Sequence, residues 1–239
     1  MFNSFLVLLT ITLAAIYGEQ VRDDLLNLKR SNIVMLSNLT HTSGGTGFYV
    51  HAPSGKIVTI TNGHVCRLAT NGIIISDNGA IREPVKVISQ YDNNDLCIVG
   101  TPAAITSGFS VAGSVREGEN IYVLGHPLLE PKSLVKGQIS GGSLVSIIQG
   151  NNMVCEGKTY KKVPPDANDI LSIILHIEFL CVRTTEAVFV TANILPGNSG
   201  SPVLNKWGNV VGVAFAGSPG SSRGLIVSLD DLKDFLKDK

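Results

Sequence analysis

Pro196-Gly197-Asn198-Ser199-Gly200-Ser201-Pro202-Val203-Leu204 is the stretch on which the reading of this chain turns. A serine hydroxyl is a weak nucleophile and needs a base within hydrogen-bond reach. It also needs donors aimed at the oxyanion that forms on attack. Glycine on each side of Asn198-Ser199 lets the backbone bend sharply, so the N–H groups of Gly197 and Ser199 can converge on one point. The competing reading is a surface turn rich in Gly, Asn, Ser and Pro. An α/β-hydrolase elbow, G-x-S-x-G, is excluded because its fifth position is Ser201 here. That elbow also opens a helix, whereas Pro202-Val203-Leu204 leads through Asn205 into a β-type run from Val210. The motif belongs to a β protein.

The rest of the chain agrees. Phe48-Tyr49-Val50, the turn Ala52-Pro53-Ser54-Gly55 and Ile57-Val58-Thr59-Ile60 read as a hairpin. Ile73 to Ile75, Val85 to Ile88 and Leu96 to Val99 continue this first series. A second contains Ile121 to Leu124, Ser143 to Ile148, Ala187 to Val190, Val203-Leu204, Val210 to Phe215 and Leu225 to Val227. Many short strands at this spacing predict barrels or sandwiches. The Gly- and Ser-bearing stretch 106–118 is the linker between the two series, and polar 150–168 reads as a long surface loop. Ser228 followed by Asp231 caps a terminal helix with an apolar face of Leu229, Leu232, Phe235 and Leu236. The expected division is a leader over 1–18, an N-terminal segment over 19–32, a first β unit over 33–110, and a second β unit with the helix over 111–239.

Two further residues fit the nucleophile. His64, in Thr61-Asn62-Gly63-His64-Val65-Cys66, follows a strand-like run, and imidazole titrates near neutrality as a base for serine must. The other histidines, His41, His51, His126 and His176, have no comparable setting, although His126 before Pro127 sits in a turn. Asp95, at the mouth of Leu96-Cys97-Ile98-Val99, can accept the Nδ1–H of His64 and fix its tautomer; Asp92 competes for that role. His64 precedes Asp95 by 31 positions and Asp95 precedes Ser199 by 104. The first two therefore fall in one β series and the serine in the other, so the site would form where the two meet.

Thr46-Gly47-Phe48, Thr61-Asn62-Gly63-His64-Val65, Asp95-Leu96 and Gly197-Asn198-Ser199-Gly200-Ser201-Pro202 together resemble the trypsin-like serine peptidases. They are most similar to the bacterial glutamyl endopeptidase and Deg/HtrA branches. The resemblance implies an all-β fold of two six-stranded antiparallel barrels with a C-terminal helix. It also implies peptide-bond hydrolysis through an acyl-enzyme, with His64, Asp95 and Ser199 catalytic and an oxyanion hole at Gly197 and Ser199. The chain is expected to end too soon for the PDZ domain usual in the HtrA branch. Ser201 matches the glutamyl endopeptidases, but Ala214 stands where their specificity histidine would be. By the same resemblance Asn193, Ala214, Phe215 and Ala216 line the primary specificity pocket, which lacks charge and suits a neutral or apolar side chain. Lys29-Arg30 looks like a processing site, but Asn198 offers no charge to a new N-terminus, so activation by its insertion is not expected. An inactive module on the same fold, or an esterase using the same site, are the alternative functions.

Formal net charge is zero, with 44% hydrophobic and 16% charged residues, which describes a globular protein with no nucleic-acid partner. The expected partner is a polypeptide substrate, with no cofactor and no metal. The run Phe5 to Tyr17 is short for a membrane span and fits a signal peptide ending near Gly18, with an uncleaved anchor as the alternative. Secretion or a periplasmic location follows. Of the four cysteines, Cys155 and Cys181 flank the least regular stretch and are the expected disulfide. Cys66 and Cys97 could equally be buried free thiols.

Overall fold

The computed structural model describes residues 27, 29–76, 79–149, 161–163, 180–217 and 222–239. The apolar leader, most of the 150–168 loop and Cys155 lie outside these. So does most of the N-terminal segment expected over 19–32, of which Lys29–Asn32 form a short 3-10 turn. Among the described residues no helix is long and apolar enough to cross a membrane.

The first half contains β1 (Ile33–Ser37), β2 (Gly44–His51), β3 (Ile57–Asn62), β4 (Ile73–Ser76), β5 (Arg82–Pro84), β6 (Val87–Tyr91) and β7 (Leu96–Val99). They form one antiparallel sheet in the order β5-β4-β1-β2-β3-β7-β6. The predicted hairpin is β2–β3, with Phe48 opposite Ile60. Of the run expected from Val85 to Ile88, Val85 and Lys86 lie between β5 and β6, and only Val87 and Ile88 are in β6. Val85 turns its N–H to Gly72 O, and a bulge between Val87 and Ser89 restores pairing with β7.

The second half contains β8 (Asn120–Gly125), β9 (Ser133–Gln149), β10 (Lys161–Val163), β11 (Leu180–Val190), β12 (Pro202–Leu204), β13 (Val210–Gly217) and β14 (Gly224–Val227). Their order is β10-β11-β14-β13-β12-β8-β9, and β9 also pairs with β11. That second pairing closes a ring of six strands, with β10 as a short addition outside it. β9 is far longer than the segment expected from Ser143 to Ile148. Gly141, at φ +105°, and a bulge between Phe189 and Val190 let one strand bend and serve both neighbours.

Two barrel-like halves and a closing helix make this the chymotrypsin-like fold. The connection between the halves is laced to both: Val50 bridges Phe109, and Val111 bridges Val210. Phe109 is fully buried and meets Phe48 edge-to-face at 6.1 Å. One apolar cluster runs through both halves, joining Phe48, Ile60 and Leu96 to Tyr122, Leu204 and Phe215. α1 (Gly63–Leu68) follows β3, and α2 (Leu229–Leu236) packs Leu232, Phe235 and Leu236 onto that cluster. The Ser228 hydroxyl caps α2 by accepting from Asp231 N at 3.0 Å.

Cys66 and Cys97 are joined as a disulfide, which decides between the two readings left open for them. Cys181 is also disulfide-bonded, and its expected partner Cys155 falls outside the described residues.

Candidate active site

Asp95 occupies the turn between a 3-10 segment (Asp92–Asn94) and β7. Its φ of +54° is left-handed, a conformation that aspartate tolerates better than most residues. Two donors hold its carbonyl there: Gly63 N at 2.9 Å and Asn62 Nδ2 at 3.1 Å. β3 and β7 are paired with Asn62 opposite Leu96, so the start of α1 is brought directly over this turn.

The carboxylate and His64 then meet through two bonds. His64 N donates to Asp95 Oδ1 at 2.9 Å, and His64 Nδ1 lies 2.6 Å from Oδ2. Because an ionised carboxylate only accepts, the Nδ1 proton is fixed and Nε2 is left as the basic lone pair. Burial alone would raise the Asp95 carboxyl. The hydrogen bond from His64, the charges of His64 and Arg183 and the His64 backbone N–H outweigh it and hold the group below its ordinary value. Asp95 is buried, while one third of the His64 side chain is exposed. Between Asp92 and Asp95, it is Asp95 that faces the imidazole.

Ser199 comes from the other half. The turn around it needs glycine twice. Gly197 has φ +89° and a Cβ there would lie 2.3 Å from His126 O; Gly200 has φ +85° and its Cβ would lie 2.1 Å from Thr46 O. Thr46 N donates to Ser199 O at 2.8 Å and Gly200 N to Ala214 O at 2.8 Å, anchoring the loop on β2 and β13. The Ser199 hydroxyl donates to Phe215 O at 3.3 Å rather than to His64. Both residues nevertheless line one cleft of about 450 Å³, together with Gly44, Leu68, Ile194, Leu195, Pro196, Gly197, Ala216 and Gly217. Among the described residues, the N–H groups of Gly197 and Ser199 have no hydrogen-bond partner. Asn198 is buried with its Nδ2 unpartnered.

The residues expected at the specificity pocket are less concentrated. Ala216 lines the cleft, Ala214 and Phe215 are buried in the barrel wall, and Asn193 is exposed and outside the lining. The wall is made instead by Ile194, Leu195 and Gly217, which no motif singles out. Ile194 is buried, and a Cβ on Gly224 would meet its Cδ1 at 2.4 Å, so this side chain fills the slot between the paired Gly217 and Gly224. Its position just before the nucleophile turn was the one available signal.

Fold and cleft together place the chain in the chymotrypsin-like class. Residues 45–213 match the model of the trypsin-like peptidase domain, and the chain belongs to that family. An uncharacterised protein of Sinorhizobium fredii, y4bJ, is 28% identical over 172 residues, a match covering 72% of this chain but only 22% of that one. Among solved structures, the active form of the Rv3671c protease of M. tuberculosis superposes with a TM-score of 0.62 at 19% identity, covering 88% of this chain and 81% of that one. The serine endoprotease from Yersinia pestis gives 0.62 at 16% identity, with 91% and 67% covered. Likeness at these identities is likeness of fold.

Proposed function

We propose that the chain is a serine endopeptidase in which Ser199 is the nucleophile, His64 the general base and Asp95 its partner. The observation that carries this is the doubly bonded His64–Asp95 pair opening onto the same cleft as Ser199. A rotation of the Ser199 hydroxyl from Phe215 O toward the imidazole starts the reaction. As Oγ bonds to the peptide carbonyl carbon, His64 Nε2 takes its proton and the carbonyl oxygen becomes an anion at the N–H groups of Gly197 and Ser199. His64 gives that proton to the leaving nitrogen as the C–N bond breaks. Water then attacks the acyl-enzyme, losing one proton to His64, which returns it to Ser199 Oγ. The net change is one peptide bond and one water converted to an acid and an amine.

The substrate is a polypeptide, and no cofactor or metal enters any step. Ile194, Leu195, Ala216 and Gly217 make the cleft wall apolar and shallow, which favours an uncharged side chain of modest size on the acyl side. The disulfide fits an oxidising compartment, so the enzyme acts outside the cytoplasm, secreted or periplasmic. A fluorophosphonate probe should modify Ser199, and Ser199→Ala should abolish labelling and lower kcat on the order of a millionfold. Undiminished peptide hydrolysis by Ser199→Ala would refute the assignment.

A further inference from the structure

We infer that Thr46 is a positioning residue for the oxyanion hole, acting through the turn that follows β8; this rests on the catalytic reading above. The peptide between Pro196 and Gly197 is planar, so its C=O and N–H point in opposite directions. Pro196 O accepts from Leu128 N at 2.6 Å. The Gly197 N–H is therefore turned away from that turn, and it is one of the two donors left without a partner. The next carbonyl, Gly197 O, accepts from Thr46 Oγ1 at 2.8 Å. Both carbonyls flanking the Gly197 α-carbon are thus gripped by residues outside the nucleophile loop. Rotating the N–H out of the hole requires Pro196 O to leave Leu128.

The Thr46 hydroxyl connects the two grips. While donating to Gly197 O, it accepts from His126 N at 2.9 Å, so one buried oxygen joins β2, the nucleophile loop and the turn that supplies Leu128 N. That turn is not in a relaxed shape. Leu128 has φ +55° and Leu129 φ +60°, both left-handed, where a Cβ is unfavourable. The Leu128 side chain is 63% exposed, so its packing is not what holds the backbone there. What holds it are hydrogen bonds: Leu128 N to Pro196 O, Leu129 N to His126 O at 3.1 Å, Glu130 N to Pro127 O at 2.9 Å, the buried His126 Nδ1 against Glu130 O at 3.0 Å, and His126 N to Thr46 Oγ1. Gly197 has room beneath this turn only because it lacks a side chain, since a Cβ would lie 2.3 Å from His126 O and 2.8 Å from Leu128 N. Without the Thr46 hydroxyl the turn loses a tether, Gly197 O loses its donor, and the N–H of Gly197 is no longer held in its orientation.

The test compares Thr46→Val, which keeps the shape and removes the hydroxyl, with Thr46→Ser, which restores it. Loss of one oxyanion donor costs roughly 10²- to 10³-fold in kcat. A donor that is present but loosened should cost on the order of ten- to a hundredfold, with KM within about threefold of the parent. Thr46→Ser should recover most of that loss. A peptide boronic acid, which places an oxygen in the hole, should weaken in parallel with kcat, while a product-like peptide should not. Replacing Leu128 by its α-hydroxy acid, an amide-to-ester change, removes the N–H donor while leaving the φ of +55° accessible, and should also lower kcat with little change in KM, which keeps the idea testable if Thr46→Val does not fold. A folded Thr46→Val with parental kcat, or the Leu128 ester with parental kcat, overturns the proposal. Parental enzyme that neither labels with a fluorophosphonate nor turns over peptide defeats the catalytic reading, and this inference with it.

Discussion

The Cys66–Cys97 disulfide closes a loop whose separation, 31, is the same as that between His64 and Asp95. Cys66 lies two residues beyond His64 and Cys97 two beyond Asp95, one on α1 and one on β7. Replacing both (Cys66→Ala with Cys97→Ala) frees that loop in the unfolded chain. Chain entropy for a loop of this size amounts to about 3.7 kcal/mol at 25 °C. Both side chains are buried, so the voids left by the two sulfurs add to the loss. In a chain of this length each kcal/mol shifts Tm by about 2–4 °C, so Tm should fall by roughly 7–15 °C. Equilibrium guanidinium denaturation of the two proteins gives the free energy, and a differential scan gives Tm. The slope with denaturant should rise, since the unlinked unfolded chain exposes more surface. Catalysis by the folded variant should change little, because His64 and Asp95 are aligned by their own four hydrogen bonds: His64 N and Nδ1 to the carboxylate, and Gly63 N and Asn62 Nδ2 to the Asp95 carbonyl. A loss below about 1 kcal/mol would refute the loop-entropy reasoning. A drop in kcat beyond about tenfold in a folded variant would refute the claim that those four bonds suffice.

Gly197→Ala places a Cβ against His126 O at a φ of +89°; kcat should fall roughly 10²- to 10³-fold, followed by steady-state kinetics on a peptide substrate. The Asp95 carboxyl titrates below its ordinary value in the folded state, so it adds stability above about pH 4 that is lost as pH falls through the lower, folded value. Asp95→Asn should flatten the acid limb of the stability profile and lower kcat on the order of 10⁴-fold; an unchanged acid limb would contradict the pairing. Burial, and then the charge of Glu83, pushes the Tyr49 phenol up to about 12. Its contribution is therefore complete below about pH 10 and is lost as pH rises through the folded value, a difference of roughly 2–3 kcal/mol. Among the described residues the buried Tyr49 hydroxyl has no partner, so Tyr49→Phe should add about 1 kcal/mol at pH 7 and remove the alkaline decline. Denaturation at pH 7 and pH 11 checks both.

What was legible in this sequence was what chemistry demands locally. A nucleophile turn needs Gly at positive φ, and Gly197 and Gly200 stand at +89° and +85°. A base needs a strand end to carry it, and β3 runs straight into Gly63-His64. Asp95 could be preferred to Asp92 because it abuts the buried run of β7, and the register of β3 on β7 is what makes that preference a contact. The illegible part depends on partners far away in the chain. Ile194 becomes a cleft wall only because Gly217 and Gly224 are paired beside it. Thr46 enters the sequence reading only within the Thr46-Gly47-Phe48 resemblance, and its hydroxyl gains a role only when Gly197, 151 positions on, is seen to accept its hydrogen bond. The length of β9 is equally non-local, since it follows from closing the second ring against β11. The two halves therefore contribute unlike things to one site. The first supplies the His64–Asp95 pair and the Thr46 hydroxyl; the second supplies Ser199 and the turn on which its oxyanion donors rest. No step of the proposed chemistry is complete within either half, so the apolar cluster shared by Phe48, Ile60, Tyr122 and Phe215 sets the distance between base and nucleophile as well as holding the fold together.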